Sequence, residues 1–187
     1  MDEHAATPAD QSPALPYRLA CLCDLRDDRD RVLLIRRSKS PNKGMCSPIG
    51  GKLDVATGES PARCAAREIQ EEAGIDVPIE RLHLLGLISE CSYEGDGHWL
   101  LFYYRVIGPV CVRERRIDEG TLEWFERDRL PSLPVPETDH KIIWPLVREH
   151  ESVRQGVPHG FFAVHIDCRD GRLRWSVDQS QPPGEGG

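Results

Sequence analysis

Apolar residues dominate two early runs, Tyr17 to Leu25 and Val32 to Arg37, which flank the polar turn Arg26-Asp27-Asp28-Arg29-Asp30. Short apolar runs bounded by a polar turn predict strands. The same pattern predicts strands over Leu82 to Cys91, His98 to Val106 and around Glu123 to Phe125, and a terminal hairpin of Gly160 to Asp167 with Arg172 to Val177 about Asp170-Gly171. Helical spacing takes over twice. Ser60 before Pro61 is an N-cap followed by a proline that needs no N–H partner, and Ala62, Ala65, Ala66, Ile69 and Ala73 then form a small apolar face up to Gly74, a natural left-handed end. A second helix is predicted from about Glu137 to Glu151. Interleaved strands and helices predict an α/β fold, an α/β/α sandwich around a mixed β-sheet. The ends, Met1 to about Pro16 and Gln179 to Gly187, are rich in Pro, Gly, Ser, Asp and Gln and read as mobile tails around one domain spanning residues 17–178, with no internal repeat.

The first helix carries the chemistry. Residues at i, i+3 and i+4 share a helix face, so Glu68, Glu71 and Glu72 are expected to converge on one point behind the glycines at 50 and 51. Clustered carboxylates repel unless a cation joins them, and hard oxygen ligands suit Mg²⁺ or Mn²⁺, with water and substrate phosphates completing the shell. For an isolated run such as REIQEE the plainer reading is a solvated helix face, and the surrounding residues decide between the two.

Composition narrows the classes. With 187 residues, 39% hydrophobic and 29% charged, the chain can bury one substantial core. A net charge of −7 opposes a sequence-independent grip on duplex nucleic acid but leaves small phosphorylated substrates open, since a bound metal supplies positive charge locally. The longest apolar run, WLLFYYRVIGPVCV, is interrupted by Arg105, Gly108 and Pro109 and is too short to span a membrane. The acidic start MDEHAATPADQSP lacks the apolar segment of a secretory signal, so a cytoplasmic location is expected. Seven scattered cysteines form no paired framework and are read as free thiols, with Cys21 and Cys23 on one strand face.

The stretch from Gly51 to Ile75 resembles the signature of the Nudix hydrolase family: Gly51, Glu59, then Arg67-Glu68-Ile69-Gln70-Glu71-Glu72-Ala73-Gly74-Ile75. Seven residues separate Glu59 from Arg67, as in the family, and seven separate Gly51 from Glu59, where the usual pattern has five. This two-residue insertion falls in the loop from Lys52 to Gly58, and loops absorb such additions cheaply. The resemblance implies the Nudix α/β/α sandwich and hydrolysis of a nucleoside diphosphate linked to another group, by water attack on phosphorus with Mg²⁺ bridging carboxylates and phosphate oxygens. It implies metal ligation by Glu68, Glu71, Glu72 and the Gly51 carbonyl, support from Glu59, and an orienting role for Arg67. Glu119, five residues before Trp124, lies where some members present a further glutamate, with a solvated surface position as the alternative. Arg36 and Arg37 end a strand where a guanidinium meets phosphates or solvent, Arg37 being favoured; His83, His98 and His165 are read as structural.

The second half of the chain resembles the MutT-like branch that cleans up oxidised purine nucleoside triphosphates, in WFERDRLP, DHKIIWPL and HGFFAVHIDCRDGRLRWSV. Asp139 fits one of two adjacent base-reading acids of that branch, whereas His140 stands at the second position, Ser47 at an asparagine-like position and Glu137 where a stacking Trp is expected. The resemblance thus implies substrate contacts from Arg37, Ser47 and Asp139 and a nucleoside triphosphate cleaved to monophosphate and pyrophosphate. ADP-ribose, a dinucleoside polyphosphate, a capped RNA end and a non-catalytic nucleotide-binding regulator remain alternatives. Oligomeric state is not legible.

Overall fold

The computed structural model describes residues 16–40, 42–95, 97–152 and 158–184. A five-stranded mixed sheet is built from β1 (Tyr17–Asp24), β4 (Leu82–Tyr93), β5 (Gly97–Val106), β8 (Phe161–Asp167) and β9 (Arg174–Gln181) in the order β1-β5-β4-β8-β9. β1 runs parallel to β5 and β4 parallel to β8, while β4–β5 and β8–β9 are antiparallel. A smaller antiparallel sheet joins β2 (Val32–Arg37), β3 (Cys46–Ser47), β6 (Arg115–Arg116) and β7 (Gly120–Phe125) in the order β3-β2-β7-β6.

Strand alternation divides the core in two. Cys21 and Cys23 of β1 and Leu33 and Ile35 of β2 pack with Cys64, Ala65 and Ile69 of the first helical segment. Their neighbours Ala20 and Leu34 face the other way, onto Ile142, Ile143, Trp144 and Val147 of the second. Helices therefore cover opposite faces of the strands, as the mixed pattern predicts.

Both helices begin and end where their residues require. α1 (Pro61–Glu68) starts at Ser60, whose side chain accepts from the Arg63 N–H, and passes into a π-turn over Ile69–Ala73 that Gly74 ends at φ 72°. A π-turn over Asp139–Ile143 likewise leads into α2 (Trp144–His150). Pro145 has no N–H to donate and its ring would press on the carbonyl four residues earlier, which accounts for the widened turn.

One expectation changes. The C-terminal tail was placed from Gln179, yet β9 continues to Gln181, with Gln179, Ser180 and Gln181 paired to Ala163, Phe162 and Phe161. Backbone pairing holds an exposed edge strand without an apolar alternation to mark it. The N-terminal tail up to residue 15 and residues 185–187 lie outside the described residues.

A buried ion network ties the far end of β1 to α2. Arg26 meets Asp24 at 2.9 Å and Glu151 at 3.1 Å, and Arg105 meets Asp24 at 2.8 Å and Glu151 at 2.6 Å. Burial alone would raise Asp24, but Arg105 and Arg26 outweigh it and hold the carboxyl at about 2.

Candidate active site

The glycine loop is laid along the open edge of β1: the Cys23 N–H donates to the Ile49 carbonyl at 2.7 Å and the Cys21 N–H to the Gly51 carbonyl at 2.9 Å. Side chains are excluded here. A Cβ on Gly50 would stand 2.0 Å from the Cys21 carbonyl oxygen, and one on Gly51 would stand 2.3 Å from Glu68 Oε1. The Gly50 N–H donates to Glu72 Oε2 at 3.1 Å, so the loop and the helical segment are pinned together at the carboxylates.

Arg67 is the hub behind this contact. Its Nε and one terminal nitrogen reach the two Glu59 oxygens at 2.8 and 2.9 Å, and its other nitrogen reaches Glu68 at 2.6 Å and Glu71 at 3.3 Å. The Arg67 hydrogen bonds hold Glu59 down at about 2. The inserted loop folds on itself, with Asp54 Oδ1 accepting from the Ala56 and Thr57 N–H groups and the Asp54 N–H donating to Glu59 Oε2 at 2.9 Å. The two extra residues thus leave the Glu59–Arg67 pair intact.

The three expected glutamates part company. Glu68 and Glu72 line a cavity of about 590 Å³ with Gly50, Gly51, Arg37, Ser47, Glu119 and Asp139. Glu71 and Glu59 do not line it, and the Glu71 side chain is 54% exposed. Glu71 nevertheless stays beside the pair, since the Arg67 nitrogen that meets Glu68 at 2.6 Å also meets Glu71 at 3.3 Å. The helical repeat widens into a π-turn at Ile69, and Glu71 stands at the exposed edge of the group. Burial, reinforced by Glu68 and Glu119, pushes Glu72 up to about 7, and burial also raises Glu68.

Whether these groups suit a divalent cation is a matter of donors. Two partly desolvated carboxylates face one space, an all-oxygen pair whose mutual repulsion a cation would relieve, whereas the Gly51 carbonyl, expected as a ligand, is turned to β1 and accepts from the Cys21 N–H and the Cys64 thiol. Among the described residues no three His, Cys, Asp or Glu side chains gather closely enough to enclose a metal by themselves. Mg²⁺ commonly binds through one or two carboxylates with several waters and substrate phosphates, so such a site does not require a closed cage of side chains.

Other expected residues sort as follows. Arg37 pairs with Glu119 at 2.9 Å on the cavity wall, whereas Arg36 forms a double hydrogen bond with Glu123 at 3.0 and 3.1 Å and does not line the cavity. The Ser47 hydroxyl is buried without a hydrogen-bond partner among the described residues. His83, His98 and His165 bond to the Gly160 carbonyl, the Ser92 N–H and the Ser89 hydroxyl, away from the cavity. The sequence reading missed Glu90, Tyr93, Trp99 and Thr138, all on the cavity wall. For Glu90 a signal existed: it follows Leu85 and Ile88 on the buried side of β4, an inward position where a carboxylate is out of place.

The comparisons agree with this geometry. The NUDIX domain family model matches residues 16–149. The uncharacterized Nudix hydrolase YvcI of Bacillus subtilis is 28% identical over 143 residues, 75% of this chain and 82% of that protein. A MutT mutator protein from Bacillus halodurans superposes with a TM-score of 0.66 at 25% identity, over 86% of this chain and 97% of that one. The fold also matches a bifunctional NMN adenylyltransferase/ADP-ribose pyrophosphatase from Francisella tularensis, solved with AMP and a Mn ion, at a TM-score of 0.55 and 20% identity over 74% of this chain and 43% of that one. With the family model spanning the glycine loop, the Glu59–Arg67 clamp and the acidic turn, this chain belongs to the Nudix hydrolases and is a Nudix pyrophosphohydrolase.

Proposed function

We propose that the protein hydrolyses a nucleoside triphosphate, oxidised purine nucleotides included, to the monophosphate and pyrophosphate with Mg²⁺ or Mn²⁺. One observation carries this reading: a single cavity joins the Glu68–Glu72 carboxylates to an inner wall of Trp99, Tyr93, Ser47 and Asp139. Its size, about 590 Å³, is in the range of small-ligand sites, with charge at one part and a stacking surface at another.

In this reading Glu68, Glu71 and Glu72 would hold the metal, which lowers the pKa of bound water and offsets charge developing on phosphoryl oxygens. The chain's own part is alignment. Arg67 fixes Glu68 from behind and is itself fixed by the two Glu59 oxygens, so the carboxylate meets its load without reorganising. Arg37 faces the same cavity and is placed to meet phosphate oxygens, and its partner Glu119 is held where it can orient an attacking water. Ser47 and Asp139 receive the base.

A panel of normal and oxidised nucleoside triphosphates, ADP-ribose and dinucleoside polyphosphates, followed by ³¹P NMR with Mg²⁺, tests the proposal. Monophosphate and pyrophosphate from triphosphates are the expected products. Preferential cleavage of a sugar-linked diphosphate would overturn the triphosphatase assignment, and nucleotide affinity without phosphate release would overturn catalysis.

A further inference from the structure

Glu90 and Asp139 stand on the inner wall of the cavity with no cation to answer them. Glu90 is 5% exposed and Asp139 9%, and both line the same space. Among the described residues neither joins an ion pair, and the one side chain hydrogen-bonded to Glu90 is Thr138. The cavity's own cations are committed elsewhere: Arg37 to Glu119 at 2.9 Å, and Lys52 over the Trp99 ring at 5.9 Å from its centroid. Buried carboxyls in natural proteins are almost always paired, so two left unpaired on one cavity wall mark the place of a missing positive charge.

The aromatic next to them has the matching chemistry. Glu90 lies directly opposite Trp99 across the β4–β5 ladder, so the two side chains share a face. Trp99 already draws Arg18 as well as Lys52 to its ring, at 5.3 Å for the guanidinium. A flat cation between an indole face and two carboxylates gains from both.

We propose that Glu90, Asp139 and Trp99 make this pocket selective for nucleotides whose base carries a positive charge, such as a purine alkylated on a ring nitrogen or a pyridinium. The proposal rests on the reading of this cavity as a nucleotide site. A cation on the base supplies the counter-charge that the fold withholds, whereas a neutral base leaves both acids uncompensated. Burial lifts both to about 7, and at Asp139 the Glu90 carboxylate adds to the rise. The other titratable groups that sense the pair are Tyr93 on β4, Tyr103 on β5 and Cys168 after β8, and none of them supplies a positive charge. Cation binding therefore competes with protons and strengthens as pH rises from 6 to 8.

Pairs of closely related ligands whose bases differ in charge give the test. 1-Methyl-AMP against AMP, and oxidised against reduced nicotinamide mononucleotide, are titrated calorimetrically into the intact protein without metal, so no turnover intervenes. The expected result is at least tenfold tighter binding of each cationic member at pH 8, a smaller preference for 1-methyl-AMP over AMP at pH 6, and loss of the preference in Glu90→Gln and Asp139→Asn proteins that melt cooperatively. Equal affinity within each pair, or a preference that survives both substitutions, overturns the inference. Mg²⁺-dependent turnover of ATP and 1-methyl-ATP separates the two ideas. Hydrolysis of both without a charge preference sinks the selectivity alone, and a binding preference without hydrolysis sinks the catalytic proposal alone.

Discussion

Gly51→Ala isolates the role of the glycine at the carboxylates. The backbone at Gly51 needs no left-handed conformation, so alanine fits the chain itself and only the new methyl is at issue. That methyl would lie 2.3 Å from Glu68 Oε1, 2.4 Å from its carboxyl carbon and 2.6 Å from Oε2. Non-bonded heavy atoms settle at about 3.5 Å, so the carboxylate must retreat by about 1 Å. It cannot do so freely, because Arg67 grips Glu68 at 2.6 Å and is itself locked to Glu59. A displacement of that size at a reacting centre costs on the order of 100-fold in rate. Crowding of this kind costs about 1–3 kcal/mol of stability, which a melting curve will register without loss of the fold. Steady-state release of pyrophosphate with Mg²⁺, paired with urea unfolding, measures both. A Gly51→Ala protein with wild-type kcat/KM would show that Glu68 need not sit where the structure holds it, and the placement argument would fail.

Four other substitutions probe separate parts of the molecule. Glu72→Gln and Glu71→Gln are each expected to lower Mg²⁺-dependent turnover by two orders of magnitude or more with little change in melting temperature; full activity in Glu71→Gln would leave Glu68 and Glu72 as the only glutamates of the acidic turn that hold the metal. Glu90 and Asp139, raised to about 7, stabilise the free protein below the ordinary carboxyl pKa and lose that contribution as pH climbs through 7. Unliganded protein should thus lose roughly 3 kcal/mol per such group between pH 4 and pH 8, and Asp139→Asn should flatten the profile in urea titrations; an unchanged slope would contradict the burial argument. Glu151→Gln strips a charge from the network that Arg26 and Arg105 share and should cost about 3–5 kcal/mol in equilibrium unfolding, with a loss under 1 kcal/mol counting against it. Asp24, held at about 2, works in the opposite direction, adding stability above the ordinary carboxyl range that is lost as pH falls toward 2.

How much of this was legible in the sequence depends on the kind of information each feature uses. The strands at Val32–Arg37 and Tyr17–Asp24 and the helix start at Ser60 were visible because apolar runs and capping are local. The short pairings Cys46–Ser47 and Arg115–Arg116 were not, since two residues carry no period and their partners lie far along the chain. The last residues of β9 were hidden for a related reason: Gln179 to Gln181 read as tail and are held by backbone bonds to β8 that no side-chain pattern announces.

The candidate site divides along the same line, and the division bears on function. Helical spacing set the acidic turn behind the glycines and the family resemblance singled out Glu59 and Arg67, because those contacts lie within a loop and the helix it feeds. The pocket wall is assembled from β3, β4, β5 and the turn before α2, elements that meet only through the sheets. Ser47, Glu90, Trp99 and Asp139 are far apart in the chain, and their shared surface has no signature that one segment could hold. Chemistry is thus written locally in this chain and selectivity is written across it. The same division explains why the resemblance to the oxidised-purine branch weakens at Ser47, Glu137 and His140 while the acidic turn stays regular in sequence. A carboxyl on each of two separate elements, facing one cavity with no cation paired to it among the described residues, is a departure that a local motif cannot record, and it is where the charge of the base is expected to decide affinity.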